Sequence, residues 1–316
     1  MALATHITIL DGGMGRELLR SGAPFRQPEW SALALIEAPE HVRRVHESFI
    51  NAGAQVITTN SYAVVPFHIG EQRFRERGLE LVRLAGTLAR EAAQTADRPV
   101  RVAGSLPPLF GSYRPDLFNP DEAPALLSVL IEGLSPHVDF WLAETQSGTA
   151  EIRAVREALG NDERPLWLSF TLDDTGDAEA VAAGREPPRL RSGETVTEAA
   201  AAAVEVGASA LLFNCSQAEI METAVKAAVT ALHAADSQIT VGVYANAFVP
   251  EPDPALKRPA NAGLSALRED LDASGYLHFA RRWVDAGATI IGGCCGIGPE
   301  HIAELASTFK SHPEAA

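Results

Sequence analysis

Eight short apolar segments divide the chain, and this repetition limits the folds that the sequence can adopt. Each segment spans three to five residues, which is typical of strands that are buried on both faces. Windows with helical spacing of apolar residues separate them, for example 40–52, 277–286 and a last window that begins at Pro299. The predicted strands are 7–10, 55–59, 100–103, 140–143, 166–170, 210–213, 240–244 and 289–291.

A glycine marks three of the predicted boundaries between a helix and the next strand. Gly53, Gly207 and Gly287 each lie in an Ala-Gly-Ala or Val-Gly-Ala segment just before an apolar run. Eight strand–helix units predict a single (β/α)8 TIM barrel domain over residues 1–316, with active-site residues at the carboxyl ends of the strands. An open doubly wound sheet is the alternative, but the Gly-x-Gly-x-x-Gly motif favoured by dinucleotide-binding sheets does not follow the first strand.

The composition fits a cytoplasmic enzyme that acts on small molecules. Apolar residues make up 46% of the chain, and no apolar run approaches the roughly 18 residues of a membrane-spanning helix. A formal net charge of -15 opposes binding to nucleic acid and to anionic membrane surfaces. An odd number of cysteines and the lack of a signal-peptide pattern argue against a secreted, disulfide-linked protein.

Three of the predicted loops between a strand and the following helix are long, namely 105–116, 173–194 and 248–272. The last of these loops is rich in proline: Pro250, Pro252, Pro254 and Pro259. Long loops in a compact barrel are typical of lids and binding loops, with surface decoration as the alternative.

All three cysteines lie at the ends of predicted strands. Cys215 follows the sixth strand, and Cys294 with Cys295 follows the eighth. In a closed barrel these ends are about 10 Å apart, at about 4.8 Å per strand, so inward-pointing thiols can meet. The glycines that flank the cysteine pair permit the irregular backbone that brings both thiols to one ion. Three thiolates that leave a fourth position open are typical of catalytic zinc.

Other interpretations of the cysteines remain open. Buried cysteines can serve as small hydrophobic residues, the glycine-rich segment after the last strand can bind phosphate, and Cys294 with Cys295 can form a vicinal disulfide. The histidines form no metal-binding motif, and we expect solvated roles for those in helical or loop windows: His41, His46, His68, His137, His233, His278 and His301.

Five segments resemble the homocysteine S-methyltransferase family. They occur in the family's order and cover nearly the whole chain: Leu10-Asp11-Gly12-Gly13-Met14-Gly15, Thr58-Thr59-Asn60-Ser61-Tyr62, Ala143-Glu144-Thr145, Asn214-Cys215 and Gly292-Gly293-Cys294-Cys295-Gly296. The resemblance implies a zinc-dependent barrel in which the homocysteine sulfur joins Cys215, Cys294 and Cys295 on the metal. That sulfur would then attack an activated methyl group.

The resemblance also implies how the amino-acid substrate is held. Asp11 and Glu144 should meet the homocysteine ammonium, while the Gly12 amide and the Thr59 side chain should receive the carboxylate. The alternative for the two acids is an ion pair with arginine at the barrel rim. Three polar residues are candidates for a supporting or a turn role: Ser61, Asn214 and Asn246.

We predict a sulfonium as the methyl donor, S-methylmethionine before S-adenosylmethionine, because a thioether leaves more readily than the tertiary amine of betaine. Arg16 and the segment Tyr244-Ala-Asn-Ala-Phe depart from the family pattern on the expected donor side. Only 6% of the residues are aromatic, which disfavours a quaternary-ammonium cage. We therefore expect four aromatic residues to pack in the core or in a lid: Trp30, Phe110, Tyr113 and Trp141.

Several other functions are compatible with the same residues. The methyltransferase alternatives use betaine as the donor, or selenohomocysteine or selenocysteine as the acceptor. A zinc hydrolase is a further alternative, but barrel hydrolases usually bind the metal through histidine and carboxylate. A zinc-binding thiol sensor without catalysis is the non-enzymatic alternative.

Overall fold

The computed structural model describes residues 6–250 and 265–309, and this part of the chain contains one sheet of eight parallel strands. The strands follow the order β1-β8-β7-β6-β5-β4-β3-β2 around the sheet. Their bounds are β1 (Thr8–Ile9), β2 (Val56–Thr58), β3 (Arg101–Leu106), β4 (Phe140–Gln146), β5 (Leu166–Phe170), β6 (Ala210–Asn214), β7 (Thr240–Tyr244) and β8 (Ile290–Ile291).

The sheet closes on itself between β1 and β2. Leu10 forms a parallel bridge with Val56, and the Gln55 amide donates a hydrogen bond to the Ile9 carbonyl at 2.7 Å. On its other side β1 pairs in parallel with β8. The fold is therefore a (β/α)8 TIM barrel, and the alternative of an open doubly wound sheet is wrong.

Helices surround the barrel, and one long helix follows each strand. The described helices are α1 (Met14–Arg20), α2 (Ser31–Glu37), α3 (Pro39–Ala52), α4 (Pro66–Ile69), α5 (Glu71–Gln94), α6 (Ala123–Leu134), α7 (Thr149–Leu159), α8 (Ala178–Ala182), α9 (Val196–Glu205), α10 (Ala218–Ala234), α11 (Ala273–Asp285) and α12 (Pro299–Phe309). The short helices α1, α2, α4 and α8 lie in loops and were not predicted. Across the described ranges, no helix combines the length and the apolar character needed to cross a membrane.

The predicted glycine boundaries are confirmed. Gly53, Gly207 and Gly287 have φ angles of 112°, 69° and 113°, which lie in the left-handed region that favours glycine. Gly53 ends α3, and its amide donates to the Ile50 carbonyl. At each of the three junctions the chain leaves a helix and enters a buried strand.

Alternation along the strands places the site. Successive side chains of a strand point to opposite faces. Phe140 and Leu142 of β4 belong to the apolar cluster inside the barrel, whereas Trp141 and Ala143 belong to the cluster beneath the helices. Glu144 follows Phe140 and Leu142 on the inward face of β4. The alternation that fills the barrel with apolar side chains therefore also directs this carboxylate inward, at the carboxyl end of the strand.

The long loops differ in how much structure they contain. The loop 173–194 contains α8, and two antiparallel bridges join Leu172 to Leu190 and Arg189 to Thr195. In the loop 248–272, Phe248 pairs with Leu267. Pro252, Pro254 and Pro259 lie outside the described residues, whereas Pro250 lines the cavity described below.

The expectation of solvated histidines is wrong for His46, His68 and His301, which are buried. His68 contacts the Pro28 carbonyl through Nδ1 at 2.9 Å, and His301 contacts the Leu271 carbonyl through Nε2 at 3.0 Å. His46 is fully buried on the apolar face of α3, and neither ring nitrogen has a hydrogen-bond partner in residues 6–250 and 265–309. Burial lowers the pKa of His46 to about 3.

His46 should make the protein less stable in acid. The folded state resists protonation of His46 down to a pKa of about 3, but the unfolded chain takes up this proton near its ordinary pKa of 6.5. Stability should fall as the pH drops below 6.5, by at most about 1.4 kcal/mol per pH unit from this residue. His46→Leu should remove that slope in urea unfolding between pH 7.5 and 5.

Phe49→Leu provides the matched control, because Phe49 is also fully buried on α3 and does not titrate. This variant should lower the free energy of unfolding by a similar amount at every pH. Parallel curves for wild type and His46→Leu would contradict the prediction.

Candidate metal and substrate site

A cavity of about 320 Å³ opens at the carboxyl ends of the strands. Residues from the ends of all eight strands, or from the loops after them, line this cavity. The wall includes every residue that the sequence placed in the site: Asp11, Gly12, Thr59, Glu144, Cys215, Cys294 and Cys295. The barrel therefore brings together residues that are far apart in the sequence.

The three cysteines form one compact group of thiols. Their Sγ atoms are separated by 2.9 Å between Cys215 and Cys294, 3.7 Å between Cys215 and Cys295, and 4.0 Å between Cys294 and Cys295. A disulfide would require about 2.05 Å, and all three cysteines are free. The vicinal disulfide is therefore not formed in this structure.

Backbone conformation brings the thiols to one point. Cys215 has a φ of 53°, an uncommon left-handed value for a residue with a side chain. After β8, the Cys294 amide donates to the Ala245 carbonyl at 2.9 Å, and the Cys295 carbonyl accepts from the Ala247 amide at 2.9 Å. Because the β7 and β8 loops are bonded in this way, the adjacent cysteines do not continue the strict alternation of a strand.

The cluster of three cysteine thiols fits a soft divalent cation. Within the described residues it is the one set of three His, Cys, Asp or Glu side chains with metal-binding spacing. Tetrahedral zinc with Zn–S near 2.3 Å needs sulfurs about 3.8 Å apart, close to the two longer separations. The neighbouring Cys215 and Cys295 thiols, together with burial, raise the pKa of Cys294. A cation would offset this cost of forming several thiolates in one buried place.

Two buried carboxylates face the same cavity. Asp11 accepts a hydrogen bond from the Thr58 amide at 2.7 Å, and Glu144 accepts one from the Ser105 hydroxyl. Burial raises the pKa of Asp11 to about 8, with a further increase from the nearby Glu144, and burial raises the pKa of Glu144 to about 7. Neither acid forms an ion pair with any residue that the structure describes. The pair therefore lacks a cationic partner among the described residues.

The residues predicted to hold a carboxylate lie beside these acids. The Thr59 hydroxyl accepts from the Ser105 amide at 3.0 Å and contacts the Ser61 hydroxyl at 2.9 Å, while Ser61 donates to the Ser105 carbonyl. The Gly12 amide has no bonding partner in the described part of the chain. Ser105 thus joins the acid and threonine regions, a role that its position in a predicted loop did not reveal.

Asn214 supports both the metal and the acid side of the site. Its Oδ1 accepts from the Thr145 amide at 3.1 Å and from the Ser169 hydroxyl at 2.7 Å. Its Nδ2 donates to the Thr145 hydroxyl at 2.9 Å and approaches the Cys294 sulfur at 3.8 Å. Asn246 lines the cavity, and its side chain accepts from the Phe248 amide at 3.1 Å.

Several aromatic residues lie around the cavity, although only 6% of the chain is aromatic. The expectation of core or lid packing holds for Trp141, which is fully buried, and for Phe110, whose ring contacts Phe118. It also holds for Trp30, which packs against the core, but Trp30 and Tyr113 both line the cavity together with Tyr62, Tyr244 and Phe248. Tyr244 ends β7, and the other rings lie in the loops after β1, β2, β3 and β7, so the aromatic residues form no dense cluster in the sequence.

Arg16 also lies on the cavity wall. Its guanidinium group donates to the Ser265 carbonyl and lies 5.7 Å from the centre of the Phe248 ring. Arg16 thus departs from the expected sequence pattern at a position that faces the ligand space.

Comparisons with known proteins agree over nearly the whole chain. The sequence profile described as homocysteine S-methyltransferase matches residues 8–309. A homocysteine S-methyltransferase from Escherichia coli is 30% identical over 325 residues, which cover 95% of this chain and 94% of that protein. A selenocysteine methyltransferase from Astragalus bisulcatus is 25% identical and covers 98% of this chain and 94% of that protein.

Solved structures show the same relationship. The homocysteine methyltransferase MmuM from Escherichia coli, in its metallated form, superposes with a TM-score of 0.72 at 27% identity, and the match covers 96% of each chain. The similarity therefore includes the arrangement of the whole barrel.

Proposed function

Because the chain belongs to the homocysteine S-methyltransferase family, we propose that it transfers a methyl group from a sulfonium donor to the sulfur of homocysteine and forms methionine. Membership makes it a methyltransferase, and the donor and the use of zinc are the proposed parts. The observation that carries the proposal is one cavity that combines three converging thiols with two buried, unpaired carboxylates.

We propose that Cys215, Cys294 and Cys295 hold zinc. The family includes a protein solved in a metallated form, and three sulfur donors suit zinc better than the harder calcium or magnesium ions. The three cysteines would hold the ion, whose positive charge would lower the pKa of the homocysteine thiol. The cysteine ligands depend on reduced thiols, which accords with a cytoplasmic location.

The acids and their neighbours would hold the amino-acid end of homocysteine. Asp11 and Glu144 supply negative charge for the ammonium group, and the free Gly12 amide supplies a donor for the carboxylate. Thr59 would turn its hydroxyl from Ser61 towards the same carboxylate. Fixing both ends of a short substrate aligns its sulfur with the donor methyl group.

The transfer itself needs no general base once the acceptor is a thiolate. The sulfur attacks the methyl carbon while the bond from that carbon to the donor sulfur breaks, and a neutral thioether leaves. The aromatic residues that line the cavity suit an onium cation, whether sulfonium or quaternary ammonium. The preference for a sulfonium over betaine therefore rests on the leaving group.

Selenocysteine or selenohomocysteine is the second candidate acceptor, which the match to a selenocysteine methyltransferase favours. A selenol is a softer nucleophile that could use the same cavity. Direct competition between homocysteine and selenocysteine for one donor would rank the two acceptors.

Loss of any one cysteine should greatly weaken metal binding. Reduced wild-type protein should bind one zinc per chain, and Cys215→Ala, Cys294→Ala and Cys295→Ala should each lose more than about 100-fold in zinc affinity. Metal analysis after dialysis measures the occupancy. Asn214→Ala is the graded comparison, because it removes a contact to Cys294 while keeping all three thiols, and should lose about 10-fold to 100-fold. Wild-type occupancy in a cysteine variant would exclude that residue as a ligand.

Removing either acid should impair homocysteine binding more than methyl transfer. Glu144→Gln and Asp11→Asn each lose one charged contact, so KM for homocysteine should rise about 10-fold to 100-fold with a smaller change in kcat. The control substrate is 4-mercaptobutanoate, which lacks the amino group. Wild type should discriminate against this thiol, and both variants should discriminate less. Unchanged KM for homocysteine in both variants would refute the role of the acids.

The identity of the donor is tested by direct comparison. Zinc-loaded protein should form methionine from homocysteine fastest with S-methylmethionine, more slowly with S-adenosylmethionine and slowest with betaine at equal concentration. Faster turnover with betaine would overturn the assignment of a sulfonium donor but would not affect the proposal that homocysteine is the acceptor. Absence of methionine with every donor would refute homocysteine as the acceptor and favour the selenium acceptor.

A further inference from the structure

Tyr113 makes a direct contact with one of the three thiols. It lies in the loop after β3, and its hydroxyl donates a hydrogen bond to the Cys215 sulfur at 3.0 Å. Both residues have left-handed backbones, with φ angles of 63° for Tyr113 and 53° for Cys215. Such conformations are uncommon for residues other than glycine and persist only where the surroundings enforce them. The contact is therefore held by the loops on both sides.

Arg191 and Asp174 hold Tyr113 from the loop after β5. The Arg191 guanidinium lies 5.0 Å from the centre of the Tyr113 ring and forms an ion pair with Asp174. Asp174 also accepts from the amide of Gln217, two residues beyond Cys215, at 3.0 Å. The paired side chains are only 14% and 12% exposed, so most of the water around them has been removed. The network joins the β3, β5 and β6 loops around one sulfur.

This contact bears on a chemical difficulty of the proposed reaction. A cysteine thiolate in the cavity is itself a nucleophile that an onium donor could methylate. In that side reaction a bond forms between the cysteine sulfur and the methyl carbon, the bond to the donor sulfur breaks, and a neutral thioether leaves. A hydrogen bond to a thiolate stabilises its negative charge and reduces its reactivity.

We propose that Tyr113 protects Cys215 from methylation, and that Arg191 is a positioning residue for Tyr113. The inference rests on the proposed function because it assumes a methyl donor in the same cavity. Cys215 is the one cysteine that receives a hydroxyl donor in the described part of the chain. The hydroxyl thus makes the sulfur of Cys215 less reactive than that of the bound substrate.

The test uses methyl iodide, which alkylates thiolates without needing a donor site and releases iodide. Zinc-loaded wild type, Tyr113→Phe and Tyr62→Phe are treated without homocysteine, and peptide mass spectrometry measures the added methyl group on each cysteine. Tyr113→Phe should be methylated at Cys215 about tenfold faster than wild type. Tyr62→Phe is the matched control, because it loses a cavity hydroxyl that contacts Ser112 instead of a thiol, and should label at the wild-type rate.

The results separate protection from a purely structural role. Equal labelling of Cys215 in wild type and Tyr113→Phe would overturn the proposal, as would a uniform increase at all three cysteines. The assay needs no turnover, so failure to make methionine from any donor would refute the proposed function without deciding the role of Tyr113. Zinc content is measured in parallel, and variants are compared at equal occupancy.

Arg191→Met tests the positioning part. It should raise methylation of Cys215 less than Tyr113→Phe does, and it should add nothing in the double variant because the hydroxyl is already absent. Independent, additive effects of the two substitutions would show that Arg191 does not act through Tyr113.

Discussion

The seam between β1 and β8 is the constraint on which the site depends. The Gly293 amide donates to the Asp11 carbonyl at 3.0 Å, and the Gly13 amide donates to the Ile297 carbonyl at 2.9 Å. A Cβ on Gly13 would lie 2.5 Å from the Cys294 carbonyl oxygen, and one on Gly293 would lie 2.1 Å from a methyl carbon of Ile297. The absence of these side chains lets the first and last strands bring an acid and two thiols to one cavity wall.

The cavity concentrates groups that become negative only at a cost. The pKa values of Asp11, Glu144 and Cys294 are all raised, by burial for the acids and by the adjacent thiols and burial for the cysteine. Ligands that carry positive charge would offset this cost at separate points: a metal ion at the thiols, an ammonium group at the acids and an onium methyl donor beside them. The overall charge of -15 is spread over the surface and matters less than these buried groups.

Much of the barrel and of the site could be predicted, because both depend on local patterns. The predicted strands 166–170 and 240–244 match β5 and β7 at both ends, and alternation within β4 accounts for the inward direction of Glu144. Contacts between loops have no such signature. Ser105 lies in the part of β3 beyond the predicted strand 100–103, and Tyr113 reaches the site through the loop after β3. His46 is buried because its helix faces the sheet. The helical spacing of apolar residues indicates which face of α3 is buried, but the polar character of histidine led to the prediction that His46 is solvated.

Backbone strain gives an independent indication of where function resides. Five described residues other than glycine have positive φ angles, and four of them line the cavity: Trp30, Tyr113, Thr145 and Cys215. Such conformations are uncommon and persist where surrounding contacts enforce them. Asn214 bonds to both the amide and the hydroxyl of Thr145. Thr145 lies near the end of β4, at a register shift between Ala143 and Gln146, and the other three lie in loops after strands. The strain therefore accumulates at the carboxyl ends of the strands, where the cavity opens.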